Sequence, residues 1–169
     1  MRSKLEIAVN VATVGLVVAV VVVVLGRRDQ PASATRDLTR SATLSKSLGI
    51  DFGKAPRTLV VVLQEECSFC TASMPFYRTL IETRTLHHTK LQIAVAAPQR
   101  NTGIAAYLAA QHVEPDAIVN FKRSDLPQVH ATPTLLVAGS HGEVLVSWNG
   151  ALSPGREAEV LDYLFRTSS

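Results

Sequence analysis

A second cysteine pair is missing from this chain. Its 169 residues hold only two cysteines, Cys67 and Cys70, both within EECSFC at positions 65–70. A closed structural zinc site takes four ligands, which one pair cannot supply. The nearest histidines in sequence, His87 and His88, fall at the far end of the helix expected after the pair. At about 1.5 Å of rise per residue that is more than about 20 Å away. Tandem histidines there suit solvent or the last helical carbonyls. Charge is also scarce. Charged side chains make up 18% of the chain, low for a wholly soluble protein, so an apolar segment must be depressing the average. Internal repeats are absent, and so are low-complexity blocks outside that segment. The single tryptophan, Trp148, ends an expected strand and reads as core or edge packing rather than a substrate platform.

The apolar segment is IAVNVATVGLVVAVVVVVL, Ile7 to Leu25, with no ionisable residue in it. As a helix it spans roughly the 30 Å of a bilayer's hydrocarbon core. Its valines would suit a strand in water, but a lone strand leaves its backbone unsatisfied in lipid, whereas a helix does not. No amphipathic face marks it as a buried core helix. It exceeds the roughly 7 to 15 residue core of a signal peptide, and Arg27 and Arg28 follow it directly. The small-residue site at 32–34, ASA, lies well downstream. An uncleaved single-pass anchor is therefore expected. The flanking charges decide its orientation weakly. A short amino-terminal tail before a first apolar segment usually stays in the cytoplasm, so the rest of the chain is expected outside it.

Charge sets a further bound. Four of the 17 basic residues (Arg2, Lys4, Arg27 and Arg28) and one of the 14 acidic ones (Glu6) flank the apolar run, leaving 13 of each beyond it. The remainder is formally neutral and carries no electrostatic footprint for nucleic acid.

Three regions follow: residues 1–28 as a membrane anchor with its flanks, 29–47 as a flexible linker, and 48–169 as the folded domain. The linker is rich in Ser, Thr and Ala and poor in large apolar residues. LGIDFGKAPR, starting at Leu48, mixes apolar residues with glycines and suits a short extended edge. TLVVVL, Thr58 to Leu63, is a continuous β-branched run, as expected of a central parallel strand buried on both faces. After the cysteines, apolar residues at helical spacing predict one helix from about Ser68 to Leu86, kinked at Pro75. LQIAVAA (91–97) reads as a strand, the segment near Thr102 to Val113 as a helix, and AIVNF (117–121) as a short strand. TLLVAG and EVLVSW around SHG form a β-hairpin. Ser153 before Pro154 signals a closing helix with a capping hydroxyl. The sum is a mixed α/β sandwich.

The cysteine pair sits where a buried strand gives way to a helix. Cys67 at the helix amino terminus would meet free N–H groups and the positive end of the macrodipole, which favour a thiolate. Cys70, one turn on and more buried, would resolve a mixed disulfide by attacking Cys67. A redox couple, a partial metal site and a structural staple all remain open on spacing alone, although a loop this short constrains the unfolded chain little.

CSFC after TLVVVL, Pro75 five residues beyond the second cysteine, ATPTLLVAGSHGEV and NGALSPGREAEVLDYL occur in an order that resembles the thioredoxin-like superfamily, and within it the membrane-anchored TlpA/ResA-like redoxins. The likeness covers about residues 56 to 166. It implies a thioredoxin-like fold, a mixed sheet flanked by helices, with residues 102–121 as a TlpA-like helix-strand insertion. It also implies Pro133 as a cis proline against the cysteines, and Thr132 offering its backbone to an extended substrate segment. Two departures stand out. Glu66, preceded by Glu65, takes the place of the tryptophan usual before the first cysteine, and Val61 takes that of a buried acid. Either glutamate is a candidate proton acceptor or a solvated loop acid, and their charge would oppose the thiolate.

The resulting expectation is a membrane-tethered, extracytoplasmic thiol:disulfide oxidoreductase of a bacterium, with Cys67 and Cys70 catalytic and Thr132, Pro133 and Phe69 at the substrate. The electrons reside on sulfur, so no organic cofactor is required. Its partners would be protein thiols and disulfides, apocytochrome c among them, and a membrane electron donor. The resemblance favours reduction, although the dipeptide Ser68-Phe69 does not fix the direction of electron flow. A copper metallochaperone and a redox-inert membrane-tethered interaction domain are the alternatives.

Overall fold

A computed structural model describes residues 36–37, 43–44 and 48–166. Every described residue belongs to one compact unit that starts at Ala34. No helix among the described residues is long and apolar enough to cross a membrane. The Ile7–Leu25 run lies outside them.

The six strands described are β1 (Arg36–Asp37), β2 (Arg57–Val62), β3 (Leu91–Pro98), β4 (Ala117–Phe121), β5 (Thr134–Gly139) and β6 (Val144–Asn149). They form one sheet in the order β1-β6-β5-β2-β3-β4. β3 runs parallel to β2 and β4, whereas β5 is antiparallel to both β2 and β6. The β-branched run is therefore central, paired on each side and buried from Thr58 to Val62, which explains why its sequence shows no polar alternation.

Side chains of β2 alternate between two apolar clusters. Leu59, Val61 and Leu63 join one with residues from each of the four described α-helices: α1 (Ser68–Ala72), α2 (Met74–Leu86), α3 (Ile104–Ala110) and α4 (Pro154–Phe165). Val60 and Val62 join the other, where Leu48, Phe52, Leu126 and Val129 cover the sheet from loops and from the 3-10 turn Phe52–Lys54. The β2-to-β3 and β3-to-β4 crossovers step the same way along the sheet, so a shared handedness puts their helices on one face. The result is a thioredoxin-like α/β fold, a mixed sheet flanked by helices.

Four local expectations are corrected. The helix over 68–86 is two helices separated at Ser73, whose φ of −87° and ψ of −5° cap both. Pro75 falls in the first turn of α2. It lacks an N–H for the Thr71 carbonyl and its ring clashes there, so the break comes before the proline rather than at it. The segment from Leu48 makes a 3-10 turn with Leu48, Ile50 and Phe52 buried, because its apolar residues serve the sheet face rather than its edge. The segment read as a linker is docked in part: Arg36 pairs with Trp148, Asp37 with Ser147 and Thr43 with Glu143, and Leu44 is buried. Backbone pairing at the open edge of β6 supplies what the linker's composition did not signal. Finally, Ser153 caps α4 through its carbonyl, which accepts from Arg156 and Glu157 at 2.9 Å each, while its hydroxyl makes no cap bond.

Candidate active site

β2 ends at Val62, and the loop Gln64–Glu66 delivers Cys67 in an extended conformation, φ −115° and ψ 106°, as the N-cap of α1. Here the cysteine sulfur does what a serine hydroxyl does at other helix starts. Cys67 Sγ accepts the backbone N–H of Cys70 at 3.1 Å, and the Cys67 carbonyl accepts from the Thr71 N–H at 3.0 Å. A disulfide joins Cys67 to Cys70, with Cα atoms 5.1 Å apart. The two sulfurs are unequal: Cys70 is 0% exposed and Cys67 is 8%.

The second wall is the turn into β5. The Thr132–Pro133 peptide bond is cis and Pro133 is buried. The Thr132 carbonyl oxygen lies 3.5 Å from Cys67 Sγ, and the Thr132 hydroxyl points at the same sulfur from 3.6 Å. The loop is pinned on both sides of the proline. The Pro133 carbonyl accepts the Gly150 N–H at 2.8 Å, and the Thr134 hydroxyl sits 2.8 Å from the Ala131 carbonyl and 3.0 Å from Asn149 Oδ1. Phe69 stands beside the disulfide, 63% exposed. The structure thus brings Cys67, Cys70 and Thr132 together, with Pro133 next in the chain and Phe69 projecting to solvent from within α1.

Other residues singled out in sequence lie elsewhere. Val61 is buried in the apolar cluster, with no acid in its place. Glu66 is exposed, while Glu65 turns toward the start of α3: a Cβ on Gly103 would sit 3.0 Å from Glu65 Oε2, so a side chain there would press the carboxylate aside. Neither carboxylate is bonded to a cysteine among the described residues. His87, at the opposite end of α2, stacks on Phe165 with centroids 6.0 Å apart. Trp148 is fully buried and meets Tyr163 edge-on at 5.7 Å. Among the described residues no group of three His, Cys, Asp or Glu side chains is gathered for a metal.

Two features were missed in the sequence. The Tyr107 hydroxyl of α3 lies 2.8 Å from the Thr71 hydroxyl of α1, linking the helix before β4 to the cysteine helix. A groove of about 620 Å³ opens beside Thr132, bordered by Gln64, Arg100, Lys122, Arg123 and His130. A usable signal existed: these residues follow β2, β3 and β4 or precede β5, and ligands of open α/β sheets bind beyond the carboxyl ends of parallel strands.

No protein-family model and no curated protein matches the sequence. Solved structures do match. StoA from Bacillus subtilis aligns at a TM-score of 0.51 with 15% identity, over 76% of this chain and 98% of its own. A thiol:disulfide interchange protein from Bacteroides sp. aligns at 0.53 with 13% identity, over 70% and 78%. A DsbF homologue from Corynebacterium diphtheriae aligns at 0.52 with 13% identity, over 66% and 74%. At such identities the likeness is one of fold, and the fold of this chain is thioredoxin-like.

Proposed function

We propose that this chain is a thiol:disulfide oxidoreductase that reduces disulfides in protein substrates. The observation that carries the reading is the inequality of the two sulfurs. Cys67 reaches solvent and receives hydrogen bonds from the Cys70 N–H and the Thr132 hydroxyl, while Cys70 is sealed. Those donors stabilise negative charge on Cys67 when the disulfide opens, which makes it the nucleophile. In the reduced chain, the Cys67 thiolate attacks one sulfur of a substrate disulfide and expels the other as a thiolate, which takes up a proton. Cys70 then attacks Cys67 Sγ, its proton passing to the departing substrate thiolate, so that the second substrate thiol is released and the Cys67–Cys70 disulfide closes. Two electrons pass to the substrate, and a dithiol donor must return them. Thr132, Pro133 and Phe69 form the substrate-facing surface, the first through its backbone.

The printed names of structural neighbours, thiol:disulfide interchange protein and DsbF homologue among them, support the same chemistry. The Ile7–Leu25 run supports a bacterial, TlpA-like protein held by one amino-terminal helix, with its catalytic domain outside the cytoplasmic membrane. Tethering raises the effective concentration of membrane-associated partners, so a membrane dithiol donor and apocytochrome c fit as electron source and substrate. Equilibration of the full chain with glutathione redox buffers tests the direction. A reductase should give a potential near thioredoxin's, about −270 mV, whereas a value near that of DsbA, about −120 mV, contradicts the assignment.

A further inference from the structure

The groove beside Thr132 has a chemical bias that the disulfide does not require. Arg100 leaves the end of β3, and Lys122 and Arg123 follow β4, so three cations border one opening, with His130 at its rim. Carboxylates lie close by: that of Asp125 accepts the Lys122 backbone N–H at 2.8 Å, and Glu65 and Glu66 line an adjoining cleft that shares Arg100 and Gln64 with the groove, but the residues bordering the groove itself include the three cations and no acid. Beyond Arg28 the chain is formally neutral, so this is a local concentration of charge rather than a basic domain.

Position gives the cluster its meaning. Thr132 belongs to the groove wall, and its carbonyl is 3.5 Å from Cys67 Sγ. A polypeptide whose cysteine reaches Cys67 must therefore lay its neighbouring residues toward the opening. On the reading that Cys67 exchanges with protein disulfides, we propose that the groove receives acidic side chains flanking the substrate cysteine, making Arg100, Lys122 and Arg123 specificity determinants. Uncharged and basic flanks would lack these contacts. A nucleic acid would need a wider basic face.

Exposed ion pairs are individually weak, but three acting on one segment should favour an acidic flank by about tenfold in kcat/KM at low salt. The preference should approach unity near 1 M salt, where screening extends to about 3 Å. The test uses the reduced full chain in neutral detergent. Its substrates are short peptides whose single cysteine is blocked as a mixed disulfide with mercaptoethanol and flanked by Glu, Gln or Lys. The Glu peptide should be reduced fastest, and the double variant Lys122→Glu, Arg123→Glu should invert the order so that the Lys peptide leads. A misfolded variant could not produce that inversion. Equal rates for Glu and Gln peptides at low salt, or a Glu preference that survives charge reversal, would overturn the proposal. Binding of peptides with serine in place of cysteine, followed by fluorescence anisotropy on the oxidised chain, separates the two readings. Tighter Glu-peptide binding without any peptide reduction leaves the groove standing and removes the oxidoreductase.

Discussion

The Thr132 carbonyl oxygen lies 3.5 Å from Cys67 Sγ, across 65 positions of sequence. The same residue aims its hydroxyl at that sulfur from 3.6 Å, so one threonine presents both an acceptor and a donor to the sulfur proposed as nucleophile. Only the donor favours a thiolate. Thr132→Val keeps the branched shape and removes the hydroxyl. Alkylation of reduced Cys67 by iodoacetamide at neutral pH should then slow by roughly 2- to 5-fold, the effect of one long, partly exposed hydrogen bond. An unchanged rate would mean that the hydroxyl does not act on the sulfur.

Tyr77 tests the core beneath the site. Its hydroxyl is buried without a hydrogen-bond partner. Burial pushes the phenol well above its ordinary range, Ser73 pulls it partly back, and Tyr107 and Glu157 push it further up. Ser73 lies close, but its hydroxyl donates to the Phe69 carbonyl at 2.9 Å, so its influence on the phenol is electrostatic rather than a full bond. Tyr77→Phe should leave stability at neutral pH equal or higher, by up to about 1 kcal/mol, because an unsatisfied buried hydroxyl is removed. The pH dependence has a definite sign. A phenol raised in the folded state contributes stability below the unfolded value of about 10 and loses it above, where only the unfolded chain ionises readily. Denaturant midpoints should fall above about pH 10 in the parent and fall less in the variant.

Arg57 anchors the closing helix. Its guanidinium donates to the carbonyls of Tyr163 at 3.0 Å and Leu164 at 2.8 Å, at the negative end of α4, and lies 5.9 Å from the centre of the Tyr163 ring. Arg57→Met keeps an unbranched apolar stem but leaves both carbonyls unmatched. A loss of about 1 to 3 kcal/mol is expected in urea unfolding, and a loss under about 0.5 kcal/mol would show that water replaces the arginine.

The docking of the 43–44 segment depends on Gly142, which has φ +83° in the hairpin turn. Its carbonyl accepts the Leu44 N–H at 2.8 Å, and an added Cβ would press on the Leu44 carbonyl at 3.2 Å. Gly142→Ala should cost about 1 to 2 kcal/mol through left-handed strain. It should also speed hydrogen exchange of the Leu44 amide more than that of β2 amides.

What the sequence disclosed follows from which forces were local. The run Thr58 to Leu63 announced a central strand because both its faces are buried, and AIVNF matched β4 from Ala117 to Phe121. Cys67 and Cys70 were legible because chain order alone sets them at a strand-helix junction. The break at Ser73 was harder to place, since a proline constrains the turn ahead of itself as well as its own position. Arg36–Asp37 was unreadable as a strand because its pairing comes from the open edge of β6, and nothing in its own composition specifies that. The basic groove gathers residues from three loops, so its charge is visible only once the sheet aligns them.

The account rests on Cys67 being the sulfur that meets the substrate. Its most direct test is to mix the reduced full-length Cys70→Ser chain with a disulfide-bonded protein and to locate the adduct by mass spectrometry. The account predicts a mixed disulfide at Cys67 that accumulates because no resolving thiol remains, and none in the Cys67→Ser chain. Absence of any adduct at Cys67, or an equally abundant adduct at Cys70 in the Cys67→Ser chain, would contradict it.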